Sequence, residues 1–255
     1  MDPTGDPAVR DLRDVRQECQ DVARFDAWAP AYEASALQEV FYARLHRKVL
    51  KLASAAGPTP GRIVDVGCGT GRLLRTAAAE FPDAHLIGVD ISAGMLAQAQ
   101  AQARARARAQ TETRAEAQTE AQTEAPAHTP AQATPPPPPP PSAFIQADSA
   151  ALPFAPATFD LATCTACSHH WPEPATALTE LRRVLTADGL LVLAHLQGVA
   201  LWDPPGAGHI RRRGVRISSG LAVPLFDSGF RVCDAALFAE CPLIPATVVL
   251  CARRR

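Results

Sequence analysis

Long apolar segments are missing from this chain of 255 residues. No apolar run approaches the roughly 18 residues that a membrane-spanning helix needs, so we expect no membrane span. The first residues, MDPTGDPAVRDLRD, carry prolines and acids where a signal peptide has a basic and then an apolar segment. The seven cysteines are odd in number and lie mostly in apolar segments, which favours reduced thiols over a disulfide framework. Together these features predict a cytoplasmic protein.

An excess of positive charge is missing as well. The formal net charge is −1 at pH 7, and Lys48 and Lys51 are the only lysines. Such a chain has no field that would gather nucleic acid along its surface, so we expect no nucleic-acid partner. The hydrophobic content of 47% with 20% charged residues is instead typical of one globular core.

The chain does contain a glycine-rich segment, IVDVGCGTGR, from Ile63 to Arg72. An apolar run, three glycines at alternate positions and a helical pattern predict a strand, a tight turn and a helix N-terminus. Glycine lets the backbone bend through conformations that other residues avoid and lets a ligand approach main-chain N–H groups. A dinucleotide fingerprint has the wider spacing G-x-G-x-x-G, and Asp65 would repel a pyrophosphate. The segment therefore favours a ligand that carries positive charge.

This segment resembles motif I of the class I S-adenosylmethionine (SAM) dependent methyltransferases, whose D/E-x-G-x-G-x-G turn holds the amino acid end of the cofactor. The resemblance implies that SAM is the cofactor and that its site includes Asp65, Gly67, Gly69 and Gly71. A nicotinamide-dependent oxidoreductase is an alternative, because it shares the strand–turn–helix unit. That class usually needs a Tyr-Lys or His-based proton relay, whereas both tyrosines of this chain precede the predicted core.

A second predicted strand, His85 to Asp90, ends in an acid about 20 residues after the glycine turn. In a doubly wound sheet, ligands lie beyond the carboxyl ends of the strands, and an acid at this position reaches the ribose hydroxyls. We therefore expect Asp90 to bind a ribose, with a helix cap before Ser92 as the alternative. By resemblance to the same family, Ile91 and Met95 line the adenine side.

Two further segments match the same family in the right order. The segment ADSAALPF, residues 147–154, fits a frequent D-x-x-x-L-P-F pattern, which implies that Asp148 and the backbone at Ser149 meet the adenine amino group. The fourth strand, Thr158 to Ala166, contains a Phe-Asp pair near its start as in this superfamily, and we also assign Cys164 on this strand to the cofactor site. The match covers residues 63–196 and is nearest to the small-molecule methyltransferases of ubiquinone and menaquinone biosynthesis (methyltransferase type 11 domain).

The residues before the core predict an N-terminal helical lid, residues 1–60. Helical periodicity is visible from Val9 to Arg24 and from Ala34 to Ala55. Between these helices, the lid segment FDAWAPAYE (residues 25–33) is similar to a Y/F-D-x-x-A-x-x-Y segment that lies over the cofactor in the same methyltransferase group. The resemblance implies that Phe25 and Tyr32 cover the methionine moiety. Alternatively, these aromatic residues only pin two helices together.

The loop after the fourth strand is CSHHWPEP, residues 167–174, and by resemblance it faces the transferable methyl group. His169 or His170 is a tentative general base or substrate-positioning residue, because an imidazole with a pKa near 6.5 can accept a proton at neutral pH. A structural histidine at a helix entry is the alternative. Cys164 and Cys167 have a C-x-x-C spacing, but the second pair that a tetrahedral zinc site requires is missing, so we expect no metal.

A low-complexity insert interrupts the pattern after the second strand. Residues 97–143 are rich in alanine, glutamine, arginine and glutamate, which favour helix, and end in a proline run that favours polyproline II. We expect a solvated helix that frays into a disordered insert, residues 100–142, within a methyltransferase domain of residues 61–255. A connection lengthened from about 6 to about 45 residues costs only about 2 kcal/mol of closure entropy, which the fold can absorb.

The remaining patterns complete the predicted sheet. A helix from Glu173 to Leu185, an apolar strand from Leu190 to Leu196, an irregular stretch at 197–214 and two C-terminal strands follow in order. We predict an α/β fold with a seven-stranded, doubly wound Rossmann-like sheet, in the strand order 3-2-1-4-5-7-6 by resemblance. The resemblance implies methyl transfer to a small-molecule acceptor, with O- or C-methylation favoured. A non-catalytic SAM-binding partner protein is the alternative, and the acceptor and the oligomeric state are open.

Overall fold

A computed structural model describes residues 12–124, 142–196, 209–212, 215–239 and 247–255. Its centre is a seven-stranded sheet, whose strands are β1 (Arg62–Val66), β2 (His85–Asp90), β3 (Ala143–Gln146), β4 (Phe159–Thr165), β5 (Leu185–Leu196), β8 (Phe230–Phe238) and β9 (Thr247–Arg254). They lie in the order β3-β2-β1-β4-β5-β9-β8, in which β1 to β5 are parallel and β9 pairs antiparallel with both β5 and β8. Counted within the sheet alone, the order is 3-2-1-4-5-7-6, which confirms the prediction.

Helices cover both faces of the sheet. They are α1 (Leu12–Glu33), α2 (Ala43–Ala56), α3 (Arg72–Glu80), α4 (Ala93–Glu124), α5 (Pro174–Val184) and α6 (Ser219–Asp227), with a π-helical turn at Gln38–Tyr42 before α2. Apolar residues of α5 and α6 form one buried cluster with one face of the sheet, and those of α2 and α3 form a second cluster with the other face. This two-sided burial explains why the parallel strands are nearly continuous apolar runs.

Strand β5 begins at Leu185, five residues before the predicted start at Leu190. Leu185 pairs with Phe159, and the next pair along the two strands is Leu161 with Leu190. The residues between Leu185 and Leu190 therefore bulge out of the ladder. An apolar pattern marks only the regular part of the strand, so it could not reveal this irregular beginning.

The lid segment is helical, which differs from the predicted connection between two helices. Helix α1 runs without a break to Glu33 and contains Pro30. Because the segment is helical, Phe25, Trp28 and Tyr32 lie three and four residues apart along one side of α1. Pro30 therefore lies inside α1 and does not end the helix.

Helix α4 continues into the low-complexity insert as far as Glu124, so residues 100–124 are helical rather than disordered. Their strong helix formers explain this extension, which agrees with the overlong solvated helix predicted from the sequence. The rest of the insert, including the proline run, and residues 1–11 lie outside the described residues. The stretch predicted to be irregular, residues 197–214, contains strand β6 (His209–Arg212), which pairs with β7 (Val215–Ser218) just after that stretch. No helix within the described ranges is both long and apolar enough to cross a membrane.

Candidate active site

The glycine turn joins β1 to α3 at the carboxyl ends of the parallel strands. Gly67 and Gly71 have φ values of 72° and 74°, in the left-handed region that favours glycine. A Cβ at Gly67 would lie 2.5 Å from Cys167 Sγ, and a Cβ at Gly71 would lie 2.9 Å from Phe144 Cε1. Both positions therefore require glycine for two reasons, the backbone conformation and the close approach of a neighbouring side chain.

Asp90 at the end of β2 organises this turn. Its Oδ2 accepts a hydrogen bond from the Gly69 amide at 2.8 Å, and its Oδ1 accepts one from the Ser92 amide at 2.9 Å. Burial raises the pKa of Asp90, while the amide donors, which include Ile91 besides Ser92 and Gly69, oppose that shift by stabilising the carboxylate. A carboxylate offers about four acceptor positions, so about one remains for a ligand in the adjoining cavity.

A cavity of about 880 Å³ opens beyond the carboxyl ends of the strands. This is at the upper end of the volumes usual for small-molecule sites. It brings together most of the residues that the sequence predicted for the site. These are Phe25, Tyr32, Gly67, Gly69, Asp90, Ile91, Met95, Asp148, Ser149, His169 and His170.

Aromatic side chains of α1 form the roof of this cavity. Trp28 packs against Tyr32 with 4.8 Å between ring centroids, and Phe25 packs edge-on against His170 at 5.1 Å. The Tyr32 hydroxyl donates a hydrogen bond to Tyr42, and burial is the main cause of the raised pKa of Tyr32. Both tyrosines are therefore neutral at physiological pH, and their rings close the cavity above the glycine turn.

One wall of the cavity is formed by the residues that follow β2 and β3. Ile91 and Met95 supply apolar surface, and the carbonyl oxygen of Ile91 accepts a hydrogen bond from Gln146 Nε2 at 3.0 Å. Asp148 Oδ1 accepts a hydrogen bond from the Ala150 amide at 2.9 Å, which fixes the turn that carries Ser149. This wall therefore combines an apolar surface with one carboxylate, a pairing suited to a flat ring with a polar edge.

His169 lies on a short 3₁₀ turn, Ser168–His170, after β4. It is 8% exposed, and within the described residues its Nδ1 has no hydrogen-bond partner. Burial, followed by the neighbouring His170 and His195, lowers the pKa of His169 to about 3. The imidazole is therefore neutral at pH 7, and its ring lines the cavity while its Nδ1 is buried.

Three predicted site residues do not line the cavity, and two of them lie behind the glycine turn. Asp65 is buried and accepts a hydrogen bond from Thr163 Oγ1 at 2.7 Å, and burial raises its pKa to about 7. Gly71 precedes the first residue of α3 and is backed by Phe144. Both residues therefore shape the turn from behind.

The third predicted site residue that does not line the cavity is Cys164. The alternation of side chains along β4 places it in the core rather than at the cofactor site. Cys164 is fully buried in the core cluster that includes α5, beside Cys167. Side chains alternate between the two faces of a strand, so the next residue, Thr165, reaches the cavity in its place. Within the described residues, no group of histidines, cysteines and acids could hold a metal ion.

Several cavity residues were not individually named as site residues from the sequence, although Cys167, Trp171 and Pro172 belong to the loop predicted to face the methyl group. The residues not named are Val22, Arg24, Ala27, Trp28, Tyr42, Val66, Val89, Ala147, Thr165, Ala166, Cys167, Trp171, Pro172 and Leu196. Trp28 could have been found from its helical spacing to Phe25 and Tyr32. Tyr42 and Leu196 could not have been found in this way, because their place in the cavity depends on how α1 and the π-helical turn pack on the sheet.

Comparison with known proteins identifies the family of this fold. The family model described as "Methyltransferase domain" matches residues 64–191, half of the chain. A trans-aconitate 2-methyltransferase from Methylobacterium nodulans is 43% identical over 49 residues, which are 19% of each chain. A malonyl-[acyl-carrier protein] O-methyltransferase from Dechloromonas aromatica is 27% identical over 173 residues, 68% of this chain and 48% of that protein. The matched part thus spans half or less of the length of these curated relatives.

A crystal structure of a SAM-dependent methyltransferase from Aquifex aeolicus has the same fold. Its TM-score with this chain is 0.60 at 15% identity, and the alignment covers 90% of this chain and 98% of that one. At this identity the likeness shows the fold alone.

The residues at the strand ends fit the cofactor of this family. A Cβ added at Gly69 would lie in the cavity, with Tyr32 Cε1 at 3.9 Å as its nearest neighbour, so a ligand can lie directly against the turn. Asp90 offers acceptors for hydroxyl groups, and the carboxylates at this edge suit a ligand with positive charge. The chain belongs to the methyltransferase domain family of class I SAM-dependent methyltransferases, with SAM as the cofactor.

Proposed function

We propose that this protein transfers a methyl group from SAM to a small-molecule acceptor, with an oxygen atom as the favoured target. This proposal rests on the shape of the cavity described above, which is one continuous space. One part lies against the glycine turn and Asp90, and the same space continues to His169 and His170 beneath the aromatic roof. A cavity of about 880 Å³ has room for a second ligand beside a nucleoside-sized cofactor.

The roles of the cofactor-side residues follow from their positions. Asp90 would accept hydrogen bonds from the ribose hydroxyls, and the Asp148–Ser149 turn would meet the polar edge of the adenine between Ile91 and Met95. Phe25 and Tyr32 would cover the methionine moiety from above. Asp65 would act from behind the glycine turn, because its carboxyl is buried and accepts a hydrogen bond from Thr163 instead of contacting the ligand.

SAM, when bound, supplies a methyl group activated by a sulfonium centre. The chain's own contribution is to hold the acceptor in line with that group and to exclude water, an effect that can supply about 7–11 kcal/mol. The aromatic roof formed by Phe25 and Trp28 excludes water, while His169 offers a neutral nitrogen to orient the acceptor. A general base of pKa about 3 is inefficient at pH 7, so positioning is the favoured role of His169.

Two features support an acidic oxygen acceptor. An acceptor that is already ionised, such as a carboxylate, attacks without losing a proton and so needs no strong base, which agrees with a neutral His169. The names of the two curated relatives specify trans-aconitate and a malonyl group, both organic acids, and one name states O-methylation. Within the cavity, Arg24 supplies a cation that suits such an acceptor.

The test is to incubate the purified protein with methyl-labelled SAM and an extract of small metabolites that contains di- and tricarboxylic acids. We expect a labelled product, an ester where the acceptor is a carboxylate, and at limiting SAM concentration its formation should be reduced about tenfold or more in the Asp90→Ala variant. Binding of S-adenosylhomocysteine without any labelled product would instead identify a non-catalytic relative. The cytoplasmic location and the absence of a nucleic-acid partner stay predictions from composition.

A further inference from the structure

Asp26 lies in the lid segment and makes two hydrogen bonds to the first turn of α4. Its Oδ1 accepts one bond from Ser92 Oγ at 2.5 Å and a second from the Gly94 amide at 2.8 Å. The two neighbours of Asp26, Phe25 and Ala27, both line the cavity. A single carboxylate oxygen therefore fixes the position of the part of α1 that covers the cavity.

Ser92 connects this contact to Asp90. Its amide donates to Asp90 Oδ1 at 2.9 Å, while its hydroxyl accepts from the Met95 amide at 3.1 Å and donates to Asp26. Ser92 is 1% exposed, so water competes little for these bonds. The residue that orients the ribose-binding acid thus also holds the lid segment.

Gly94 allows the two helices to approach this closely. A Cβ at this position would lie 2.7 Å from both the Cα and the carbonyl oxygen of Asp26, and backbone atoms cannot move aside as a side chain can. The far end of the lid segment is fixed separately, by an ion pair of 2.5 Å between Glu33 and Arg75 of α3. The lid segment is therefore fastened at both ends, and the Asp26 end is the one beside Asp90.

We propose that Asp26 is a positioning residue that fastens the lid segment to the first turn of α4, through Ser92 and Gly94, and so holds the roof over the cofactor end of the cavity. The identity of the ligand rests on the proposed function, whereas the contact itself does not. Both bonds use one oxygen of Asp26 as their acceptor. The substitution Asp26→Asn therefore keeps an acceptor oxygen for them, whereas Asp26→Ala removes it.

The experiment measures the affinity for S-adenosylhomocysteine by calorimetry and the hydrogen exchange of residues 25–33 in the free protein. Asp26→Ala is expected to weaken binding about tenfold or more and to speed exchange in the lid segment. Asp26→Asn is expected to stay within about threefold of the parent, since it keeps an acceptor oxygen. Gly94→Ala should behave like Asp26→Ala, although alanine favours helix more than glycine does. Asp83→Ala, which removes an exposed acid from the turn before β2, is the matched control.

Unchanged affinity and exchange in Asp26→Ala would overturn the proposal. An equal loss in Asp26→Asn and Asp26→Ala would also overturn it, because the carboxylate would then act through its charge rather than as an acceptor. If Asp26→Ala does not fold, the same two measurements on Gly94→Ala test the proposal. A parent protein that does not bind S-adenosylhomocysteine would contradict the proposed function, while faster exchange in Asp26→Ala would still support the contact.

Discussion

Replacement of Asp90 by alanine separates two roles of one side chain. The carboxylate accepts amide hydrogen bonds from Gly69 and Ser92, and it faces the cavity where the ribose is proposed to bind. A charge-assisted hydrogen bond contributes about 1.5–3 kcal/mol. Loss of the ribose contact alone should therefore weaken binding of S-adenosylhomocysteine about ten- to a hundredfold.

The lost amide bonds add a separate effect on stability. Each amide left without an acceptor costs about 1–3 kcal/mol when water cannot replace the carboxylate. We therefore expect Asp90→Ala to lower the free energy of unfolding of the free protein as well, measured by urea denaturation. Urea denaturation compares the folded with the unfolded chain, whereas a binding titration compares the folded protein with and without its ligand. A loss of stability alone therefore does not account for weaker binding by the folded protein.

Calorimetric titration at room temperature is the appropriate assay, with Asp83→Ala as a control for the loss of an exposed acid. The parent and the control should bind alike, and Asp90→Ala should bind at least about tenfold more weakly. Affinity indistinguishable from that of the parent, in a variant shown to be folded, would refute the assignment of Asp90 to the ribose.

Three further predictions concern other parts of the molecule. The folded-state pKa of Asp65 is about 7 against an ordinary value of 3.8, so the folded state keeps a proton that the unfolded chain loses. Asp65 therefore contributes a fall in the free energy of unfolding as the pH rises between these values, while the lowered pKa of buried His169 contributes in the opposite direction; Asp65→Asn should remove the Asp65 part, so that its stability gains relative to the parent as the pH rises in urea titrations, an identical pH dependence being the contrary result. His169→Asn should lower turnover about tenfold through lost acceptor positioning while affinity for S-adenosylhomocysteine stays within about twofold; equal losses in both would place His169 at the cofactor instead. Deletion of residues 102–140 with a short turn in their place should leave that affinity within about threefold, because none of the residues that line the cavity is removed, and an unfolded product would show that the insert packs against the core.

The features that the sequence predicted best are those set by local chemistry. The glycine turn, Asp90 and the Asp148–Ser149 turn each follow directly from a strand, and parallel strands bring their carboxyl ends together at one edge. Cys164 was assigned wrongly because a motif match does not give the phase of side-chain alternation, and a shift of one residue exchanges the core for the cavity.

Contacts between distant elements account for the rest. Asp26 and Ser92 are 66 residues apart, and their hydrogen bond depends on the docking of α1 against α4. Nothing in the periodicity of either helix indicates that contact. The cavity residue Tyr42 lies on a π-helical turn, whose wider turn shifts side chains away from the positions that a regular helical pattern predicts.

The most direct test of the account is a crystal structure with S-adenosylhomocysteine. The account predicts ribose hydroxyls within hydrogen-bond distance of Asp90, the adenine between Ile91 and the Asp148–Ser149 turn, and the amino acid end against Gly69. A ligand bound elsewhere, or one bound in this cavity with Asp90 turned away from the ribose, would contradict it.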